Sequence, residues 1–342
     1  HVWWHWMNGN VTREGITADL EAMARIGIGG AQIFDAGCDI PAGPVAFGSE
    51  AWYDLLLHAA HEARRLGLEL CLSNCSGWAN SGGPWVTPEM SMKCVVWTET
   101  QVQGPSTEAI TLEQPENPHG FYRDIAVLAF PTPTADLRTM ASCGGTVSQP
   151  SPAQTVIAFP DSFAAAGMSC RFDFDWHWTA PGKLHVETSD DGVNYQWREA
   201  FDLQLAPSGE NDHNVRYLAF ARTYVAKTFR LTTEFPLNPS LVARDVTLQT
   251  GLRIPDLPAK TFKVRRAVTP CPVVAAADQA IPKSAVVDVT SALRPDGRLQ
   301  WKVPSGTWTV MRIGFAATGR KNHPASAKGE GLEIDKLSRA AA

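Results

Sequence analysis

The chain has 342 residues, of which 44% are hydrophobic and 19% charged. That balance supports a large buried core and two or three domains, and it excludes disorder as the main state. A formal charge of -5 and a pI near 6.0 argue against a nucleic-acid or anionic-membrane binder, which needs a basic face. No run of about 18 apolar residues occurs, so no helical membrane span is expected.

In chain order, Val2 to Met7 reads as an aromatic strand. Thr17 reads as the cap of a helix carrying Leu20, Met23 and Ile26 at helical spacing, stopped by Gly27, Gly29 and Gly30. Ala31 to Phe34 is a second strand. Ser49 caps a longer helix with Trp52, Leu55, Leu56, Ala59, Ala63 and Leu66 on one face and Gly67 as its stop. Glu69 to Ser73 is a third strand, and strand–helix alternation of this kind predicts a parallel βα sheet, open or the start of a barrel. After Trp97 no long amphipathic helix is expected before about residue 318. Strand-like runs at Ala126–Phe130, Leu184–Thr188, Thr228–Thr232 and Thr307–Ile313 predict β structure, with Asp190-Asp191-Gly192 as a hairpin turn. A polar loop from Gly319 to Gly331 then leads to a predicted helix. The expected domains are 1–100 (first βα units of a TIM-type barrel), 101–255 (inserted β-sandwich), 256–318 (smaller β unit) and 319–342 (return to the barrel).

Seven cysteines, Cys38, Cys71, Cys75, Cys94, Cys143, Cys170 and Cys271, form no CxxC pair. The Cys71-x3-Cys75 spacing is no usual zinc half-site, and buried thiols are the expectation. The chain opens on His1 without a charged-then-apolar leader, and Leu337 to Ala342 reads as the beginning of a helix; a piece cut from a longer protein is expected.

In parallel βα domains, functional groups collect where strands end and βα loops begin. That rule selects His5, Trp6 and Asn8 after strand one, Asp35 after strand two, and Asn74 and Trp78 after strand three. Indoles beside Asn, Asp and His suit a neutral sugar, which offers hydroxyls to bond and C–H faces to stack. The competing readings are a packing role for each tryptophan, since Trp3 and Trp4 are adjacent and one must point inward, and a simple turn at Asn8-Gly9-Asn10. Gly27-x-Gly29-Gly30 lies at a helix end, the wrong side for a phosphate cradle, and HExxH, GxSxG and P-loop patterns are absent.

The residues themselves are more specific. Val2-Trp3-Trp4-His5-Trp6-Met7-Asn8-Gly9-Asn10-Val11-Thr12, Gly29-Gly30-Ala31-Gln32-Ile33-Phe34-Asp35 and Ser73-Asn74-Cys75-Ser76-Gly77-Trp78 resemble the opening of glycoside hydrolase family 106, which contains α-L-rhamnosidases. Gly319-Arg320-Lys321-Asn322-His323-Pro324 and Gly331-Leu332-Glu333-Ile334-Asp335-Lys336-Leu337 extend the resemblance, with Arg320 and Ile334 standing where the family pattern has Lys and Cys. The resemblance implies an inverting, calcium-dependent exo-glycosidase on an (α/β)8 barrel interrupted by β domains. It also implies a carbohydrate partner and a periplasmic or secreted location. An inverting site needs two carboxyls about 6.5–9.5 Å apart. The resemblance places that pair on barrel strands beyond this chain and leaves Glu333 and Asp335 as secondary catalytic candidates, on different faces if helical. It adds His323 as a loop residue within reach of the sugar and assigns no metal ligands. Residues 172–195 resemble galactose-binding-like sandwiches, with Trp176 and Trp178 on one strand face. The alternatives are a non-catalytic carbohydrate-binding module and another exo-glycosidase specificity.

Overall fold

The structure, a computed structural model, describes residues 1–79, 81–173, 180–205, 215–255, 257–261 and 280–341. The chain divides into two compact units. One comprises His1–Cys94, Asn117–Arg123 and Ala316–Ala342; the other comprises Val95–Glu116 and Asp124–Phe315. Trp176, Trp178 and Cys271 lie outside the described residues.

In the first unit, β1 (Val2–Met7), α1 (Arg13–Arg25), β2 (Gly30–Ala36), α2 (Glu50–Leu66) and β3 (Glu69–Leu72) follow one another. The strands form a parallel sheet in the order β1-β2-β3, with Trp4 opposite Ile33 and Ile33 opposite Leu72. Alternation along β1 sends Trp4 and Trp6 to the helix side, where they pack with Ile16, Leu20, Ile33, Trp52 and Ala59. Ser49 caps α2 by accepting from the Trp52 amide, and Gly67 closes it in a left-handed conformation, both as expected. The start of α1 differs from expectation. Thr12, not Thr17, accepts from the Gly15 amide as N-cap, and Thr17 lies on the helix surface with its hydroxyl 2.9 Å from His58 Nε2 of α2. The sheet has three strands and two helices; no closed barrel forms among the described residues.

Next come β4 (Gly82–Gly83), β5 (Lys93–Ser106), β6 (Ile110–Thr111), β7 (Tyr122–Pro131), β8 (Thr146–Ser151), β9 (Gln154–Arg171), β10 (Ala180–Ser189), β11 (Gln196–Leu205), β12 (Val215–Glu234) and β13 (Arg244–Gln249). They are followed by α3 (Leu257–Lys260), β14 (Val287–Asp288), β15 (Arg298–Leu299) and β16 (Val303–Ala317). In the second unit β8 to β13 form one six-stranded sheet around the β9–β12 ribbon, which shifts register between Ala219 and Tyr224 and between Ala226 and Thr228. Such bulges bend a strand pair. Both halves of the ribbon turn apolar residues into one core of Ile157, Phe163, Met168, Leu184, Phe220 and Phe229, so the sheet folds over itself as a sandwich does. Asp191 closes the predicted β10–β11 turn. Its carboxylate accepts from the Val193 and Asn194 amides and from Ser189, bonds that hold its pKa well below the carboxylate range.

The expected boundary at residue 101 does not delimit the sandwich. Strands β5 and β7 pair instead with strands from the far side of it, in the sheet β14-β7-β16-β5 over Val127, Ala129, Leu299 and Val310. The smaller β unit is thus discontinuous in sequence. Its segments meet across 177 residues of chain, as in the bond between the Thr132 and Thr309 hydroxyls.

The last strand, β17 (Leu332–Glu333), pairs with β4 in the first unit. The helix expected after Gly331 does not form. The Glu333 amide donates to Arg320 O, the Ile334 amide to Ser81 O, and Glu333 O accepts from the Met92 amide. Those backbone groups are committed to neighbouring segments rather than to a residue four positions back. Leu337 to Ala341 continue in turns, with the Leu337 amide held by Asp335 Oδ1.

Candidate functional site

The side of β1 and β2 opposite the helices carries Trp3 and His5, with Gln32 and Phe34 beside them in register. Trp78 follows β3. These rings form one aromatic face. His5 and Trp78 meet edge-to-face with centroids 5.3 Å apart, Phe34 and Trp78 at 5.6 Å, and Trp3 and Phe34 at 5.6 Å. Large indoles usually bury 150–250 Å², yet Trp3 is 71% exposed and Trp78 45%. His5, Asn74 and His323 are exposed as well. The Trp78 amide donates to His323 O at 3.1 Å, which brings the loop bearing His323 against the loop after β3.

Three of the expected sugar contacts are placed differently. Trp6 is 1% exposed and sits edge-to-face with Trp4 and Trp52 under the helices, because it shares a strand face with Trp4 rather than with His5. Asn8 is a turn residue at φ 47°, and its amide donates to Ile40 O at 2.6 Å, so its hydrogen-bonding capacity serves the loop. Asp35 is 2% exposed. Its Oδ1 accepts from Ser76 Oγ at 2.5 Å and from Ser326 Oγ at 2.8 Å, while Oδ2 has no partner among the described residues. Burial pushes its pKa above the ordinary carboxylate range, and the two serine hydroxyls pull partly back.

Glu333 ends β17 and Asp335 follows it outside any helix, so the expected separation onto two helical faces does not arise. Lys336 Nζ approaches Glu333 Oε2 at 4.0 Å, and Asp335 Oδ1 caps the Leu337 amide. Among the described residues no three His, Cys, Asp or Glu side chains gather to hold a metal ion. The calcium implied by the resemblance therefore has no carboxylate-rich ligand set among the described residues. Cys75, Cys94 and Cys170 are buried thiols; burial pushes Cys170 up to about 12, and Cys71 is exposed.

Trp3 and Phe34 belong to the aromatic face and were absent from the expected set. The period of two along β1 was the available signal, since it separates Trp3 and His5 from Trp4 and Trp6. Ser76, Ser326 and Asn322 carried no such local signal.

The whole chain, residues 1–342, matches the sequence model of Glyco_hydro_106, described as alpha-L-rhamnosidase. A protein of Formosa agariphila named "Putative beta-glucuronidase" is 31% identical over 339 residues, covering 98% of this chain and 19% of that protein. A solved structure of a rhamnosidase from Novosphingobium sp. PP1Y is 28% identical; the match covers 100% of this chain and 35% of that one, with a TM-score of 0.72. The chain thus spans about a fifth of the first relative's length and about a third of the second's.

Proposed function

The chain belongs to glycoside hydrolase family 106, and from that premise we propose that it is part of an enzyme releasing terminal α-L-rhamnose from glycans or glycosides. The sequence match carries this reading, and beside it stands the meeting of His5 and Trp78, ring centroids 5.3 Å apart, towards the ends of β1 and β3, with Asn74 exposed there. A pyranose stacks its C–H face on an indole, and the 6-methyl group of rhamnose adds apolar surface for the same ring. The His5 imidazole and the Asn74 amide supply donors and acceptors for hydroxyls.

The name of the Formosa relative raises a second reading, a site for an anionic uronate. Carboxylate recognition calls for Arg or Lys, most often bidentate Arg. The sheet face presents Trp3, His5, Gln32, Phe34 and, across from Gln32, Cys71, none of which is a fixed cation. That composition favours the neutral deoxy sugar.

In this proposal hydrolysis proceeds with inversion. A carboxylic acid protonates the leaving oxygen and a second carboxylate activates water across the ring, about 6.5–9.5 Å away. Asp35 is too deeply buried to touch a sugar, and Glu333 and Asp335 are engaged with Lys336 and backbone. The resemblance to the family implies that the pair stands on barrel strands of the whole protein outside these residues, and the proposal takes that placement from it. Calcium dependence and a periplasmic or secreted location belong to the proposal for the whole protein.

The test is steady-state kinetics of the full-length protein on aryl α-L-rhamnoside and aryl β-D-glucuronide. Turnover of the rhamnoside with an inverted product, and a fall in kcat/KM of tenfold or more in His5→Ala and in Asn74→Ala, is expected; tenfold is about 1.4 kcal/mol of transition-state binding. Turnover of the glucuronide alone would establish the second reading. Unchanged kinetics in both folded variants would return His5 and Asn74 to a structural role.

A further inference from the structure

The Asp35 carboxylate is buried too deeply to meet a substrate, yet it is the point at which three segments of the first unit meet. It is the penultimate residue of β2, it takes the Ser76 hydroxyl from the loop after β3, and it takes the Ser326 hydroxyl from a loop 291 residues further along the chain. The serines are tied to each other as well: the Ser326 amide donates to Ser76 Oγ at 2.8 Å, and the two hydroxyl oxygens lie 3.1 Å apart. Main-chain bonds run beside this knot. The Gly77 amide donates to Asp35 O at 2.7 Å and the Gly37 amide to Pro324 O at 2.9 Å. Asn322, itself buried, donates to Ser76 O and Gly329 O at 2.8 Å each and accepts from the Gly331 amide.

The backbones approach so closely that glycine is required on the receiving side. A Cβ on Gly37 would lie 2.4 Å from Ala325 O, and one on Gly77, whose φ is +82°, would lie 3.0 Å from the His323 carbonyl carbon. The loop at 322–331 is therefore seated in one register against the end of the sheet. Its exposed products are the side chains of His323 and Trp78, joined through the Trp78 amide and His323 O.

We propose that Asp35 is a positioning residue: through Ser76 and Ser326 it locks residues 73–78 and 322–331 together and so fixes Trp78 and His323 at the sugar-facing surface. A carboxylate suits this post because a single oxygen can accept from both hydroxyls, and because a buried acceptor left without its donors is costly. The lock brings together residues far apart in sequence, so its loss frees the loops without dismantling the helix-side core of Trp4, Trp6, Leu20 and Trp52. The catalytic consequence rests on the rhamnosidase reading above; the structural lock does not.

The test separates the two. Amide hydrogen exchange of the full-length protein is compared for wild type, Asp35→Ala and Ser326→Ala, alongside kcat and KM on the aryl rhamnoside. Exchange at the Gly77, Trp78 and Ser326 amides is expected to accelerate at least tenfold in both variants, with protection in α1 and α2 unchanged. KM is expected to rise more than kcat falls, since the loops hold the sugar and not the acid/base pair. Ser326→Ala removes one hydroxyl and leaves the buried acid in place, so it decides the matter if Asp35→Ala does not fold. Unchanged exchange at those three amides, or acceleration spread equally over α1 and α2, overturns the lock. A local acceleration in a protein with no activity on the rhamnoside would leave the lock standing and overturn the functional reading alone.

Discussion

The two units distribute their aromatic residues differently, although the sandwich too has an open indole, Trp197, 63% exposed on β11. In the sandwich, Phe163, Phe172, Phe220 and Phe229 all point into one core and are essentially inaccessible. In the βα unit the same class of residue is split by the pleat. Trp4, Trp6 and Trp52 are buried under the helices, whereas Trp3 and Trp78 stand open on the other side. A folded-over sheet has one apolar interior to fill and fills it. The second face of the three-stranded sheet carries the exposed Trp3 beside the buried Phe34, and parallel sheets are ordinarily covered on both faces. In an eight-stranded barrel that face is the interior, filled by side chains from the remaining strands. An exposed cluster of indoles is the informative observation, since scattered exposed apolar residues are ordinary.

Substitutions can break or sharpen this contrast. The largest effects belong to the two cores. Phe229→Ala and Trp6→Ala should each destabilise by about 3–5 kcal/mol in denaturant unfolding, the range for large aromatic truncations. Trp3→Ala should cost about 1 kcal/mol or less, the worth of its edge-to-face contacts with His5 and Phe34. A Trp3→Ala loss as large as that of Trp6→Ala would show the open face to be a core after all.

Next in size is Gly77→Ala. At φ +82° and pressed against His323, it should cost about 1–2 kcal/mol, the penalty of a left-handed non-glycine residue. A thermal shift reads the cost, and no shift would mean that the loop relaxes away. Trp78→Ala should lower kcat/KM of the full-length enzyme about tenfold, roughly 1.4 kcal/mol, while leaving the unfolding midpoint almost in place. An equal loss of stability and activity would make Trp78 a packing residue and erase the distinction between the units.

The smallest expected effect is the pH dependence of Asp35. Its folded pKa is raised by burial above the unfolded value, so the native state binds the extra proton. Its contribution to stability is full below the ordinary carboxylate pKa and is lost as pH rises through the raised one. The stability difference between wild type and Asp35→Asn should therefore narrow as pH is raised from below 4 towards neutrality. A difference that widens over that range would show the carboxyl to be favoured in its ionised form.

Much of the first unit was legible in the sequence because the forces that make it are local. Ser49 and Gly67 mark the ends of α2 with a hydroxyl acceptor and a left-handed stop, and Val2 to Met7 forms the expected strand. Thr12 and Thr17 both precede an apolar period, and the Gly15 amide, bonded to Thr12 Oγ1, decides between them. The segment after Gly331 has acidic and apolar residues at spacings that suit a helix. Its amides had partners at Arg320, Ser81 and Met90 that no local pattern announces.

The sequence by itself determined the alternation of strand and helix, the caps, the tryptophan-rich strand and the family, since each is written in spacings of a few residues or in contiguous motifs. Only the tertiary structure decided which tryptophans of β1 are core and which are open. It also moved Asp35 from the surface to a buried knot with Ser76 and Ser326. The physical reason is the range of the interactions. Helix capping acts within a turn, whereas the burial of Asp35 depends on a loop 291 residues away arriving at the end of β2, and pleat alternation assigns faces without saying which face the helices will cover.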